Sequence, residues 1–469
     1  MRVIFAVLAV LLAGQVSAQT QFFRVYPGHP SMSPLPPQPG GPAAIEVEYP
    51  VSIDMRGIVL DRTTRSEWAL RMPDGSVKVF RESRFDAVEG FVALGELDVQ
   101  PDPKLPDTAI SWNWFGTAGR ESLTVSAHRG HLSGTLIGIE KNFAIAQSRG
   151  NTVFRRINPR LIPLDIVGSG PRAKVIEMRP TFARAKVHDP IDVLVVHTSG
   201  AVTAAETRAQ LNAIIAESFS QANTVLSNSG IVSFSLRNVL AGQQDLSVEV
   251  SYNENGAPPP GCEIAVVGTG ACRWIAHRFW LRTSAAVQSL RNSFNADLVM
   301  MYVGDEADAS GSAYVQRPNC GVEQFYEDTP GCSVGVGYNN FAFAVTSTKY
   351  ATSFQVFAHE IGHQLGMEHD VVYGSPSPSF SWSYGWYVSN VNETVMSVAR
   401  AFGACSNCPR ALQLSNPNVA FQNSSVPSGS ATAWNARTGA ALAPAVSEFR
   451  APRLTQLIFR GGFEALPIR

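Results

Sequence analysis

Eleven consecutive residues restrict the folds open to this chain more than any other feature. His359-Glu360-Ile-Gly-His363-Gln-Leu-Gly366-Met-Glu-His369 gathers three of the nine histidines of a 469-residue chain. His359 and His363 are spaced i, i+4, so on a helix both imidazoles leave from one face. Gly366 falls where that helix has to end, because glycine accepts the left-handed conformation of a sharp reversal. The reversal carries His369 back toward the first two rings. Three neutral imidazoles can grip one zinc ion at about 2.0–2.1 Å per bond and leave a fourth position for water. A structural site would instead close its shell, usually with cysteine. Glu360, beside the first ligand, is placed to take a proton from a water acidified by the ion. The run from Thr352 to Phe357 reads as a helix leading into the motif.

The rest of the chain gives this element a setting. Lys+Arg number 37 and Asp+Glu 38, a net charge of −1 that argues against nucleic acid as a partner. Residues 1 to 18 read as a secretory signal peptide, with Arg2, an apolar run Val3 to Ala13 and the small-residue site Val16-Ser17-Ala18. The run is too short for a membrane span, and no second one follows. The mature chain is therefore expected from Gln19 onward, secreted, with a periplasm as a place of transit. Six cysteines fit an oxidising compartment. They form three close pairs, Cys262/Cys272, Cys320/Cys332 and Cys405/Cys408, and local disulfides are the simplest pairing. Cys405-Ser-Asn-Cys408 has redox spacing but no βαβ context, so a structural bridge is the reading.

Residues 27–42 are dense in proline and glycine and read as a linker. From 45 to about 165, short alternating runs broken by Gly, Asp and Asn predict strands of a half-buried antiparallel sheet. A basic, proline-punctuated segment, 171–190, marks a boundary. Beyond it, Ile191 to Val196 reads as a strand buried on both faces. Leu211 to Leu226 has helical spacing and stops at Asn228-Ser-Gly230; Val232, Phe234 and Leu236 alternate as a strand. A helix over about 274–294 and a strand over 297–303 complete a β-α-β-α-β order. That order predicts an α/β (α+β) domain with a mostly parallel twisted sheet. The divisions are 1–18 signal, 19–188 β-rich N-terminal domain, 189–450 catalytic domain and 451–469 tail.

The motif with its following Asp370 resembles the metzincin zinc proteases, and the aspartate resembles the reprolysin (adamalysin-like) branch, of bacterial secreted type. The resemblance implies a methionine turn, for which Met396 in Glu393-Thr-Val-Met396-Ser-Val fits, 27 residues after His369. Asn223 to Ile231, Ala296 to Met300, Gly311 to Tyr314, Leu414 to Asn418 and Asn435 to Thr438 are similar to bacterial members in the same order. The resemblance implies a secreted zinc endopeptidase made as a proenzyme, with residues 19–188 as propeptide. Its substrate, a protein or peptide, would pair along an edge strand near Gly311, Ala313 and Tyr314. Asp370 would steady the methionine turn. Val398 stands where astacins and serralysins carry tyrosine, in keeping with a three-histidine site. Residues 19–190 hold no cysteine, so latency would need a carboxylate, His128, His131, His188 or steric blockade; these histidines read as exposed surface residues. Residues 397–413 would wall the S1′ pocket. Arg400 and Arg410 there would favour acidic side chains, solvated surface arginines being the plainer reading.

Gly331-Cys-Ser-Val-Gly335 matches a serine-hydrolase elbow in letters only, since Thr329-Pro330 before it and Gly337 after it make a loop. Val267-Gly-Thr-Gly270 lacks the third glycine of a dinucleotide fingerprint. The rival function is a non-catalytic binding or adhesion protein on a metzincin scaffold, against which an intact Glu360 counts. No calcium loop of recognisable spacing is present.

Overall fold

The computed structural model describes residues 44–450 apart from 52–66, 90, 94–98, 140–141, 149–150, 159–160, 163–165, 168–189, 257–268, 305–308, 317–334, 375–377, 406–407 and 423. The signal, the linker, the tail and the basic segment 171–189 lie outside these residues.

Alternation in the N-terminal part yields an eight-stranded antiparallel sheet. Its strands are β1 (Ile45–Pro50), β2 (Glu67–Arg71), β3 (Val77–Glu89), β6 (Ser111–Ala118), β7 (Glu121–His128), β8 (His131–Ile137), β9 (Asn142–Ser148) and β10 (Asn151–Ile157), while β4 (Phe91–Ala93) and β5 (Val99–Pro101) pair with each other. Leu123, Val125, Leu132 and Leu136 face an aromatic core in which Trp68 stacks on Trp114 at 4.0 Å and Trp112 meets Trp68 edge-on. The alternate positions of β7 and β8 carry Ser122, Thr124, Ser126, Ser133 and Thr135, all buried as well. At β7 and β8 the sheet is thus covered on both sides, whereas β3 is exposed or half-buried along nearly all of its length, as expected of a half-buried sheet.

The second unit is a mainly parallel sheet in the order β11-β16-β17-β15-β12-β13. Its strands are β11 (Ile166–Val167), β12 (Ile191–His197), β13 (Leu236–Asn238), β14 (Val248–Glu249, also paired to β12), β15 (Leu298–Val303), β16 (Gly311–Ala313) and β17 (Phe343–Ser347). β12 and β15 are buried throughout, and successive residues serve opposite faces. Val193, Val195, Met300 and Tyr302 pack with helices α1 (Ser199–Ala205) and α2 (Arg208–Asn228); Leu194, Val196, Val299 and Met301 pack with α3 (Thr269–Thr283) and α4 (Ala285–Ser293). Thr198 and Thr207 cap α1 and α2 by accepting backbone N–H bonds at 3.0 Å from Ala201 and Gln210. α5 (Val356–Gln364) lies against β16 and β17, and α6 (Asn435–Val446) is the last helix among the described residues.

Three local expectations are corrected. The helix expected over 274–294 is two, because the Ser284 side chain caps α4 and restarts the turn. Thr352 to Phe357 is not helical throughout; α5 begins at Val356 after Gln355 adopts φ +55°. The strand expected at 232–236 lies instead at β13, which begins at Leu236, where the Asn223 side chain accepts from Leu236 N (2.8 Å) and donates to Leu236 O (3.0 Å).

Candidate active site

All nine residues of α5 are buried, an unusual state for a helix carrying two histidines and a glutamate. His359 Nδ1 donates to Val395 O at 2.7 Å, and His363 Nδ1 donates to Met367 O at 2.8 Å. A carbonyl only accepts, so each Nδ1 holds the ring proton and each Nε2 presents a lone pair. Gly366 sits at φ +77°, and a β-carbon there would come within 2.6 Å of Leu442 and 2.7 Å of Ser379. The reversal leads into β18 (Glu368–Asp370), paired to β19 (Tyr384–Gly385), and returns His369 to the helix. His369 Nε2 then lies 3.0 Å from His359 Nε2 and 3.2 Å from His363 Nε2.

The third ring can place at most one proton on its Nε2, so it can satisfy only one of the two lone pairs directed at it, whereas a cation among the three nitrogens satisfies all of them. A tetrahedral ion bonded at 2.0–2.1 Å spaces its donors about 3.3 Å apart. The donor set therefore fits zinc. Among the described residues this is the one group of three or more His, Cys, Asp or Glu able to hold a metal ion.

Met396, wholly buried, brings its sulfur against Gly362, between the two helical histidines, where any β-carbon would collide with it. Asp370 Oδ2 accepts from Ser397 Oγ and Val398 N, both at 2.9 Å. Burial raises its pKa to about 6, with those two bonds opposing the rise. Glu360, fully buried, packs its carboxylate on the backbone of Gly311, so a side chain at that glycine would overlap it. β16, which carries Gly311 and Ala313, runs antiparallel to β17 and has β11 on its other side in parallel, with Ile166 opposite Ser312 and Val167 opposite Ala313. The edge expected for substrate is thus lined by two residues of the N-terminal part.

Tyr314 is partly buried, and Tyr338 Oη donates to its carbonyl. Arg278 on α3, wholly buried, donates to Ala313 O at 2.5 Å and lies 4.2 Å above the Tyr314 ring. Burial drives the Tyr338 phenol well above its usual range. Sequence reasoning missed Arg278 and Tyr338; an arginine inside an otherwise buried helical stripe was the available signal.

Arg400 and Arg410 are not solvated surface residues, being 4% and 3% exposed. Their Nε atoms lie 3.3 and 3.6 Å from Oε1 of the buried Glu393, which closes β21 (Asn392–Glu393), the partner of β20 (Tyr387–Val388). Arg410 also donates to Phe354 O and Ser397 O and stacks on the Phe354 ring. His128 is not an exposed residue either; it is buried, with Nε2 donating to Gln244 O at 3.4 Å, whereas His131 is half-buried. Cys405 and Cys408 are bonded to each other beside Ala399 and Tyr387. Cys262, Cys320, Cys332 and His188 lie outside the described residues, as does the Cys272 side chain.

The family model for Metallo-peptidase family M12, of reprolysin type, matches residues 187–411. Those residues form an M12 metallopeptidase domain. The M12 domain includes all three histidines, Glu360 and Met396. The chain is similar to curated proteins named peptidyl-Asp metalloendopeptidase. That of Stenotrophomonas maltophilia K279a is 30% identical over 26% of this chain and 29% of its own length. That of Xanthomonas campestris pv. campestris is 34% identical over 23% and 25%, and that of Pseudomonas aeruginosa 28% identical over 47% and 33%. The chain spans about a quarter to a third of the length of these relatives. Metalloproteinase-II of Bacteroides fragilis aligns with 70% of this chain and 90% of its own at 13% identity and a TM-score of 0.34, too loose a likeness to bear on the fold.

Proposed function

We propose that the chain is an exported zinc endopeptidase, made as a latent proenzyme, that cleaves beside acidic residues. The observation that carries the reading is the convergence of His359 and His363 Nε2 on His369 Nε2, at 3.0 and 3.2 Å, with Glu360 on the helix of the first two and held against β16. His359, His363 and His369 would hold the ion. Bound there, zinc supplies a Lewis acid that polarises the scissile carbonyl and acidifies water.

The chain's own groups do the rest. Val395 O and Met367 O fix the tautomers of His359 and His363, which keeps both Nε2 atoms in donor state. Asp370 pins Ser397 and Val398, and through them Met396 under Gly362. Glu360 takes the proton of the attacking water on its carboxylate and returns it to the leaving amine. Gly311 to Ala313 orient the peptide by main-chain hydrogen bonds.

Latency follows from the pairing of β11 with β16, since a substrate strand can add to that edge only after residues 166–167 leave it. Residues 19–188 are in this reading the propeptide and 1–18 the export signal. The acidic preference draws on the relatives' name, peptidyl-Asp, and on Arg400 and Arg410, two guanidinium groups sharing Glu393 beside the methionine turn.

Tested on a protein substrate after removal of the N-terminal region, a chelator abolishes cleavage and zinc restores it. Cleavage-site profiling shows Asp or Glu at one subsite, and Arg400→Met or Arg410→Met weakens that bias. Proteolysis that survives chelation refutes the enzyme, and a flat profile refutes the preference alone.

A further inference from the structure

The N-terminal sheet sits on α2 through an interface of hydroxyls around one buried carboxylate. Glu217 is wholly buried at mid-helix. Ser133 of β8 and Thr124 of β7 donate to it, the latter at 3.0 Å, and Gln221 Nε2 donates at 2.9 Å from the next turn. Gln221 also donates to Thr124 Oγ1 at 2.8 Å, and Gln210 donates to Leu132 O at 2.7 Å. A permanent interface between two layers is normally apolar; one built on serine and threonine keeps its groups soluble when it opens. Hydroxyls can also donate or accept, so the partner set fits Glu217 with or without a proton.

We propose that this contact is a proton-gated latch: the sheet stays docked on α2 while Glu217 carries a proton and loosens when it ionises. The idea rests on the latency reading only in taking the N-terminal sheet as the part that leaves. The groups facing Glu217 are neutral: Thr124, Ser133 and Thr135 from the sheet, Thr352 from the segment before α5, Gln221 from its own helix, and Tyr302 from β15, whose phenol burial pushes up. Burial raises the Glu217 pKa to about 7, with the hydroxyl bonds opposing the rise. A carboxyl raised on docking favours the docked state at low pH and loses that contribution as pH climbs through about 7. At the hairpin end of the same strands, His128 and His131 are lowered by burial and act oppositely, loosening the contact in acid.

Hydrogen exchange of the full chain, carrying Glu360→Gln to prevent self-cleavage, reads docking without reference to inhibition. Exchange in peptides covering 121–137, corrected for intrinsic rates, is compared with and without Glu217→Gln between pH 6 and pH 8. The wild-type-to-variant protection ratio is expected to rise about tenfold from pH 8 to pH 6, the histidine contribution cancelling. Ser133→Ala removes a donor to the charged form and should move the loosening to higher pH. A ratio constant within about twofold, or a midpoint moved down by Ser133→Ala, overturns the latch. Latency itself is judged separately, by activity at one pH before and after removal of the N-terminal region.

Discussion

Glu393→Gln is the most informative single perturbation of the site's foundations. Glu393 is fully buried between Arg400 and Arg410, at 3.3 and 3.6 Å, and its Oε2 also accepts from Arg400 N at 3.1 Å. At an effective dielectric near 20, each of these charge pairs is worth about 5 kcal/mol of attraction before desolvation. Removing one partner of a buried pair costs about 3–5 kcal/mol net, because the opposite charge stays out of water. Glutamine keeps the shape and removes only the charge. The catalytic-unit transition in calorimetry should therefore fall, by roughly 2–4 °C for each kcal/mol lost. Residues 394–398 follow Glu393 directly and include Val395, whose carbonyl orients His359. Zinc affinity should then weaken about 10–100-fold. A stability change under about 1 kcal/mol with unchanged zinc affinity would mean that the cluster behaves like a solvated surface pair, and the reasoning fails.

Gly362→Ala drives a β-carbon into the Met396 sulfur. It should cost about 1–3 kcal/mol and lower zinc occupancy, measured by denaturation and metal analysis; a silent substitution denies contact between the turn and the helix. Asp297 is buried where it accepts from Asp192 N and Arg450 N, and burial raises its pKa to about 7. Because that value is raised, its contribution is full below about pH 4 and lost as pH rises through about 7. Asp297→Asn should flatten the stability profile across that window, and an unchanged slope in urea titrations counts against it.

How much of this was visible in the sequence depended on whether the signal was local. The i, i+4 histidines, Gly366 and the returning His369 are fixed by helix geometry within eleven residues, so the centre could be assembled on paper. The same holds for β12 and β15, whose unbroken apolar runs need cover on both faces. Ser284 and Gln355 show the first limit, since a side-chain cap or one left-handed residue moves a helix boundary without disturbing periodicity. Long-range cover is the second limit. Thr124 and Ser133 alternate with apolar residues as if facing water, and Glu217 reads as the solvated side of a helix. Each is buried only because the other lies across from it, some 90 residues away. Arg400 and Arg410 looked like surface charges for the same reason, their partner Glu393 being visible only once the chain has folded back.

The central claim is that three histidines hold zinc while Glu360 moves the proton. Zinc content and proteolysis measured together on Glu360→Gln, with the N-terminal region removed, test it most directly. The account predicts about one zinc per chain, as in the unaltered protein, with cleavage reduced by about 10²–10⁴-fold or more. Cleavage at the original rate with zinc retained would contradict it.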